Sequence, residues 1–147
     1  ASLHYWPCGA RTDMAARRLT QEERLHFSIV ATIGCVICGK NCALHHARIG
    51  VGMGQKSSPW HVIALCPYHH QYGPFGEAIH NGKRTFEERH GTESELLAYT
   101  ILMAYSQGFP NTYSKATISL LKGLEDGIRG DRRGSLTQHR QVEQPSL

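Results

Sequence analysis

Four potential metal ligands form two short motifs that limit what this 147-residue chain can fold into. Two residues separate Cys35 from Cys38, two separate Cys66 from His69, and 27 residues lie between the motifs. Two soft donors on each tight turn satisfy tetrahedral zinc with no open position, as a structural site requires. Such a site contributes on the order of 10 kcal/mol to folding, enough to hold short strands that bury little core. The sequence therefore predicts a structural zinc at these four residues.

Cys42 leaves an alternative open for this ligand set. It follows Cys38 by four residues, so it either supplies a ligand in place of His69 or is a buried thiol that binds no metal. The chain has 5 cysteines, an odd number, and no secretory leader on the supplied sequence. These features favour reduced thiols in a cytoplasmic compartment over a disulfide framework.

The composition is that of one compact globular domain with peripheral extensions. Hydrophobic residues make up 40% of the chain, and no apolar run approaches the roughly 20 residues that cross a bilayer, so we expect no membrane association. A net charge of +4 permits binding to a polyanion but does not establish it. We expect an N-terminal arm (1–19), a core domain (20–105), a helical extension (106–128) and a flexible tail (129–147).

Capping signals and apolar spacing predict an α+β fold. Thr20 and Glu23 have the form of a capping box, which predicts a helix that ends at Gly34. Apolar stretches at 43–44 and 62–65 have the length of strands and predict a short hairpin around an exposed, glycine-rich loop. Further helices are predicted through His69 and His70 and over residues 84–90, 93–105 and 112–127.

Histidines are concentrated between residues 45 and 80, and four of them form two consecutive pairs. Neighbouring residues on a strand point to opposite faces, so His45 and His46 have different roles: one binds a metal and the other takes a proton. Neighbouring residues on a helical turn diverge by about 100°. One of His69 and His70 therefore faces the structural zinc, while the other faces a separate site.

The ordered string of these motifs resembles the HNH endonucleases of the ββα-metal class. Segments 19–24, 80–91 and 93–97 are similar to the phage recombination-enhancement (Ref) proteins, which are RecA-dependent nucleases, and to their prophage relatives. The resemblance covers roughly residues 19–100. It implies a small ββα-metal core with a structural zinc knuckle, surrounded by several helices, as the nuclease domain.

The resemblance also implies a role for individual histidines. His45 is expected to be a metal ligand on the first strand, His46 the general base, and His70 a ligand from the helix. The usual pattern has Asn at position 61, where it ties the loop together and helps orient the base. This chain has His61 instead, which either donates an equivalent hydrogen bond or binds metal itself. Many HNH helices carry another histidine four residues after the helix ligand, where this chain has proline, and His80 is its best replacement.

The implied activity is hydrolysis of DNA phosphodiester bonds with low sequence specificity, in recombination or DNA processing by a phage or prophage. It requires a catalytic divalent metal (Mg, Mn, Ni or Zn), and a RecA-type filament is an expected partner in the bacterial cytoplasm. Candidates for holding the DNA phosphates are Arg48, Lys56, Lys83 and Arg84. The alternatives are a non-catalytic, zinc-stabilised adaptor that binds nucleic acid or protein, and a role in zinc storage or sensing.

Overall fold

A computed structural model describes residues 18–106 and 113–138 of the chain. For residues 131–138 it describes the backbone alone. The architecture is a mixed α+β fold, as the sequence predicted. A two-stranded sheet packs among helices, and one wide, π-type helical turn follows the second strand. In chain order the elements are α1 (Gln21–Ile33), β1 (Ala43–His46), β2 (Val62–Leu65), the π-turn (Tyr68–Tyr72), α2 (Lys83–His90), α3 (Glu93–Ser106) and α4 (Lys115–Gln138).

Helix α1 begins and ends at the residues that the sequence predicted. The Thr20 hydroxyl accepts the Glu23 backbone N–H at 3.2 Å, and the Glu23 carboxylate accepts the Thr20 backbone N–H at 2.7 Å. Gly34 follows the last turn with φ +82°, and a Cβ there would lie 3.0 Å from the Gly39 carbonyl oxygen. Glycine is therefore required where the chain leaves α1 and enters the first cysteine motif.

The hairpin forms as predicted and lies between two helices. Its strands pair antiparallel, with Ala43 opposite Leu65 and His46 opposite Val62. All four residues of β2 are buried, and they alternate between two apolar clusters. Val62 and Ala64 pack with Val30 of α1, whereas the other two residues of β2 join the main core with α3. This packing fixes the position of β1 and its two histidines.

Helices α2 and α3 match their predicted ranges to within one residue, but the predicted end of the last helix was wrong. The sequence placed that end at Gly127, and the structure continues α4 to Gln138. A helical glycine costs only about 1 kcal/mol relative to alanine, and α4 packs on α3 through Leu121, Leu124 and Ile128. This packing outweighs the glycine cost, so Gly127 does not end the helix.

Residues 1–17 of the predicted arm (1–19), residues 107–112 of the predicted extension and residues 139–147 of the predicted tail lie outside the described residues. The division of the chain into arm, core domain, extension and tail therefore stays a prediction. Within the ranges that the structure does describe, none of the helices is both long and apolar enough to span a membrane.

Candidate active site

The four predicted zinc ligands lie together. Cys35 Sγ is 3.6 Å and Cys66 Sγ is 3.2 Å from Nδ1 of His69, and Cys38 Sγ is 3.6 Å from Cys66 Sγ. Zinc–sulfur bonds near 2.3 Å place two tetrahedral thiolate ligands about 3.8 Å apart, so these spacings fit one zinc ion. They are too long for a disulfide bond. The chemistry and the spacing of the donors therefore both fit a structural zinc.

Cys42 lies outside this group. Its thiol donates to the backbone carbonyls of Val30 and Ala31, at 3.6 and 3.4 Å, so it is held against α1. Burial raises the pKa of Cys42 to about 11, which keeps the thiol protonated and makes it a poor metal ligand. The geometry therefore favours His69 as the fourth ligand and Cys42 as an additional thiol.

A second group of ligands consists of His45, His70 and His80, whose ligand atoms all lie within 4.8 Å of one another. His70 Nε2 and His80 Nε2 are 3.1 Å apart. Metal–nitrogen bonds near 2.0–2.1 Å place two ligands of one ion about 2.9–3.4 Å apart, so this spacing fits a shared metal. Burial, followed by the neighbouring imidazoles, lowers the pKa of His70 to about 4, which leaves its ring neutral and able to ligate.

Three different elements bring these histidines together. His45 is on β1, His70 is on the π-turn, and His80 is on the segment before α2. Backbone hydrogen bonds tie that segment to the π-turn: His80 N–H donates to the His70 carbonyl at 3.2 Å, and Ile79 N–H donates to the His69 carbonyl at 2.9 Å. The same turn thus carries one residue of each cluster, His69 of the cysteine-containing cluster and His70 of the histidine cluster.

Glu93, to which the sequence analysis gave no role, holds the buried His45 ring. His45 Nε2 is 2.7 Å from Glu93 Oε1, and Lys83 Nζ is 2.6 Å from Glu93 Oε2. Burial alone would raise the pKa of Glu93, but the hydrogen bonds from His45 and Lys83 outweigh it and lower the pKa to about 2. The carboxylate is therefore ionised and accepts a hydrogen bond from Nε2–H, which leaves Nδ1 of His45 as the nitrogen able to bind a metal.

His46 lines the same cleft from an exposed position. Its ring meets Phe27 of α1 edge-on, with the ring centroids 5.7 Å apart, while the neighbouring His45 is buried. Partial desolvation of the ring, followed by the nearby His45 ring, lowers the pKa of His46. The cleft has a volume of about 460 Å³, and its lining includes His46, the three clustered histidines and Glu93. His46 thus lies beside the cluster of potential metal ligands without belonging to it.

The chain matches the model of the family described as "Recombination enhancement, RecA-dependent nuclease" over residues 19–105, which is more than half of its length. The chain belongs to this family. No curated protein and no solved structure matches the chain. The match to the RecA-dependent nuclease family confirms the Ref-like resemblance, and the matched segment contains both groups of metal ligands.

The structure places the other predicted site residues of this RecA-dependent nuclease family member at different distances from the cleft. Arg48 and Lys83 line it, although Lys83 is engaged by Glu93. Arg84 is exposed and pairs with Glu88 at 3.2 Å, and Lys56 is an exposed residue of the loop between the strands. Neither of these two lines the cleft.

His61 is not brought into the group of metal ligands or the lining of the cleft. Its carbonyl accepts the Ala47 backbone N–H at 2.8 Å, which extends the pairing of the hairpin by one step. Its Nδ1 is buried and has no hydrogen-bond partner within the described part of the chain, and burial lowers the pKa of this histidine. His61 is placed to support the hairpin end from which His46 projects.

A third group of side chains, which the sequence analysis also missed, includes the predicted zinc ligand His69. Ligand atoms of His69, Glu77 and His90 lie within 4.8 Å of one another. Glu77 accepts from Arg89 at 2.6 Å and contacts Nε2 of His90 at 3.1 Å. Arg89 and His90 belong to α2, so α2 holds the Glu77 carboxylate close to the His69 ring as well as covering the core.

Proposed function

We propose that this RecA-dependent nuclease family member is a metal-dependent endonuclease that hydrolyses DNA phosphodiester bonds at an HNH-type site with low sequence specificity. The observation that carries the proposal is the convergence of His45, His70 and His80 in one cleft with His46. Three imidazoles fit one divalent ion and leave its other positions open, which is the arrangement of a catalytic site rather than a structural one.

The roles of the histidines follow from their positions. His45, His70 and His80 hold the divalent ion (Mg, Mn, Ni or Zn); imidazole ligands favour the later metals, while cellular supply also affects which is used. When bound, the ion supplies Lewis-acid stabilisation of charge on the phosphoryl and leaving oxygens. His46 accepts the proton of the attacking water, because its lowered pKa keeps the ring unprotonated at neutral pH. Glu93 fixes the tautomer and orientation of His45.

Two basic side chains, Arg48 and Lys83, line the cleft where the substrate would bind. Arg48 is the cleft's best candidate for a phosphate contact, because the charge of Lys83 is already balanced by Glu93. Phosphate contacts position DNA without reading its sequence, so low sequence specificity is expected. The family description supports a RecA filament as the partner. The corresponding setting is phage or prophage recombination in the bacterial cytoplasm.

A second candidate function is a non-catalytic, zinc-stabilised adaptor that binds nucleic acid or protein. The observation that favours it is the position of His61 outside the cleft, because the resemblance assigns that position to orienting the base. The second metal group argues against it. An adaptor needs the zinc ligands, but it has no use for three more clustered imidazoles or for a buried carboxylate that orients one of them.

The test is conversion of supercoiled plasmid to nicked and linear forms by the wild type and by His46→Ala, each with Mg or Mn and with a chelator. We expect metal-dependent cleavage that falls by about 10²–10⁴-fold in a folded, zinc-loaded His46→Ala protein. If naked plasmid stays intact, single-stranded DNA coated with a RecA filament is added together with homologous duplex. Cleavage absent there as well would contradict the nuclease proposal and favour the adaptor.

A further inference from the structure

Two aromatic side chains that are close in sequence to His70 and His80 are exposed to solvent. Tyr72 is 80% exposed and Phe75 is 65% exposed, which makes them the two most exposed aromatic residues of the described chain. Rings of this size usually contribute their area to a core or an interface. Tyr72 is the last residue of the π-turn that carries His70, and Phe75 lies on the segment between His70 and His80. Both rings are therefore attached to the backbone that supplies two of the three clustered histidines.

The exposed ring of Phe75 is not on a loose loop. The Gly76 backbone N–H donates to the Asn81 carbonyl at 2.7 Å, and the Asn81 side chain donates to the Gly73 carbonyl at 3.3 Å. The ring also lies against Gly82, where an added Cβ would come 2.6 Å from it. The turn thus holds the Phe75 ring in place with most of its surface in solvent. Contacts within the described part of the chain do not account for that arrangement.

Basic side chains lie in the cleft and at the start of α2, and the carboxylates Glu93 and Glu88 there are paired with basic residues. Lys83 follows Gly82 directly, Arg48 lines the cleft, and Arg84 is exposed at the start of α2. Proteins bind single-stranded nucleic acid through basic side chains that contact its phosphate backbone and exposed aromatic rings on which its bases stack. In a duplex the base faces are already stacked on one another, so these rings would have no base face to contact.

We infer that Tyr72 and Phe75 form a stacking platform for the bases of single-stranded DNA, which guides an unpaired strand toward the histidine cleft. The inference rests on the proposed function only for what happens to the strand in the cleft, where it is cleaved. The stacking itself is a binding property and is measurable without cleavage.

The test compares two ligands of equal length and charge: labelled oligothymidylate, and an abasic oligonucleotide with the same phosphates and no bases. Affinities are measured by fluorescence anisotropy on the full, zinc-loaded chain without added divalent metal. We expect the wild type to bind oligothymidylate at least about fivefold more tightly, the effect of one stacked base. The preference should persist at high salt, because salt weakens the phosphate contacts that the two ligands share.

The variants assign this preference to the two rings. Tyr72→Ala and Phe75→Ala should each reduce it, and the double variant should bring it close to one, whereas Tyr72→Phe and Phe75→Tyr should keep it. Tyr99→Ala is the matched control, because Tyr99 is 46% exposed but belongs to α3, beside Ile128 of α4. Equal wild-type affinity for the two ligands, or an unchanged preference in the folded double variant, would overturn the inference.

Cleavage separates a failure of this inference from a failure of the proposed function. If both hold, the double variant loses cleavage of single-stranded DNA and keeps cleavage of duplex. Stacking without cleavage of any substrate would reject the nuclease and leave the platform standing. Cleavage by a protein that binds both ligands with equal affinity would reject the platform and leave the nuclease proposal standing. Zinc content and the urea midpoint check that each variant is folded.

Discussion

His45 and Glu93 form a buried pair, with His45 Nε2 and Glu93 Oε1 2.7 Å apart and both side chains less than a tenth exposed. They come from the hairpin and from the first turn of α3, 48 residues apart in sequence. The pair sets the tautomer of the proposed metal ligand and joins β1 to α3. Lys83 holds the other carboxylate oxygen at 2.6 Å, so the carboxylate cannot rotate away from the ring without losing that ion pair.

Replacing Glu93 with glutamine tests this positioning role. Glu93→Gln keeps the shape of the side chain but removes the charge that fixes the proton on Nε2, so we expect metal affinity about 10–100-fold weaker. In cleavage assays the metal concentration for half-maximal rate should rise, while the rate at saturating metal changes less. Glu88→Gln is the control, since Glu88 is an exposed carboxylate that pairs only with Arg84 among the described contacts. An unchanged metal requirement in Glu93→Gln would contradict the assignment.

Local signals predicted much of this fold. The capping box of Thr20 and Glu23 and the glycine at position 34 fixed the limits of α1, because helix ends depend on residues within one turn. The zinc group could also be predicted from the sequence, because its potential ligands occur as two close pairs and the donor types are typical of zinc sites. Alternation along a strand also predicted that His45 and His46 differ, and one is buried while the other is exposed.

Long-range contacts were not predictable in the same way. Nothing near Glu93 in sequence indicates His45, since the pairing depends on how α3 packs on the sheet. His26 lies one position beyond the apolar residue Leu25 of α1, yet it is completely buried, because Tyr113 and Trp60 approach it from distant segments. The length of α4 was missed for a related reason: its packing on α3 outweighs the local cost of glycine.

His61→Asn restores the residue that the HNH pattern has at this position. The structure keeps His61 out of the metal ligands and leaves its buried Nδ1 without a partner, so we expect cleavage at least as fast as wild type and an unchanged metal requirement. Rates measured across a metal titration check both expectations. A loss of about tenfold or more in metal affinity would instead identify His61 as a ligand.

The zinc content of cysteine variants separates the two possible ligand sets. Cys66→Ser removes a thiolate from the four-ligand group, so we expect loss of the zinc and a largely unfolded protein, because a structural site contributes on the order of 10 kcal/mol. Cys42→Ser should retain one zinc per chain, since that thiol contacts only backbone carbonyls of α1 among its described hydrogen bonds. Zinc loss in Cys42→Ser with retention in His69→Ala would reverse the assignment.

Protonation of His26 should destabilise the fold as the pH falls. The ring is completely buried, its Nδ1 is 2.8 Å from the Tyr113 hydroxyl, and it packs against Trp60 in a tilted arrangement with centroids 5.1 Å apart. Burial lowers the pKa of His26 from 6.5 to about 4, although a backbone hydrogen bond with Trp60 acts in the opposite direction. The unfolded chain therefore binds a proton at higher pH than the folded chain does. Stability from this group is complete above pH 6.5 and declines as the pH falls toward 4.

Between pH 7.5 and pH 5.5 this linkage should remove about 1 kcal/mol of the free energy of unfolding. Urea unfolding of the wild type and of His26→Asn at both pH values measures it, because the variant has no titrating ring and protonation of the metal ligands is common to both proteins. The pH-dependent loss should be smaller in His26→Asn by that amount. Tyr113→Phe should keep the full loss, since burial rather than the tyrosine hydroxyl causes the pKa shift. Equal pH dependence in the wild type and His26→Asn would show that His26 does not carry the effect.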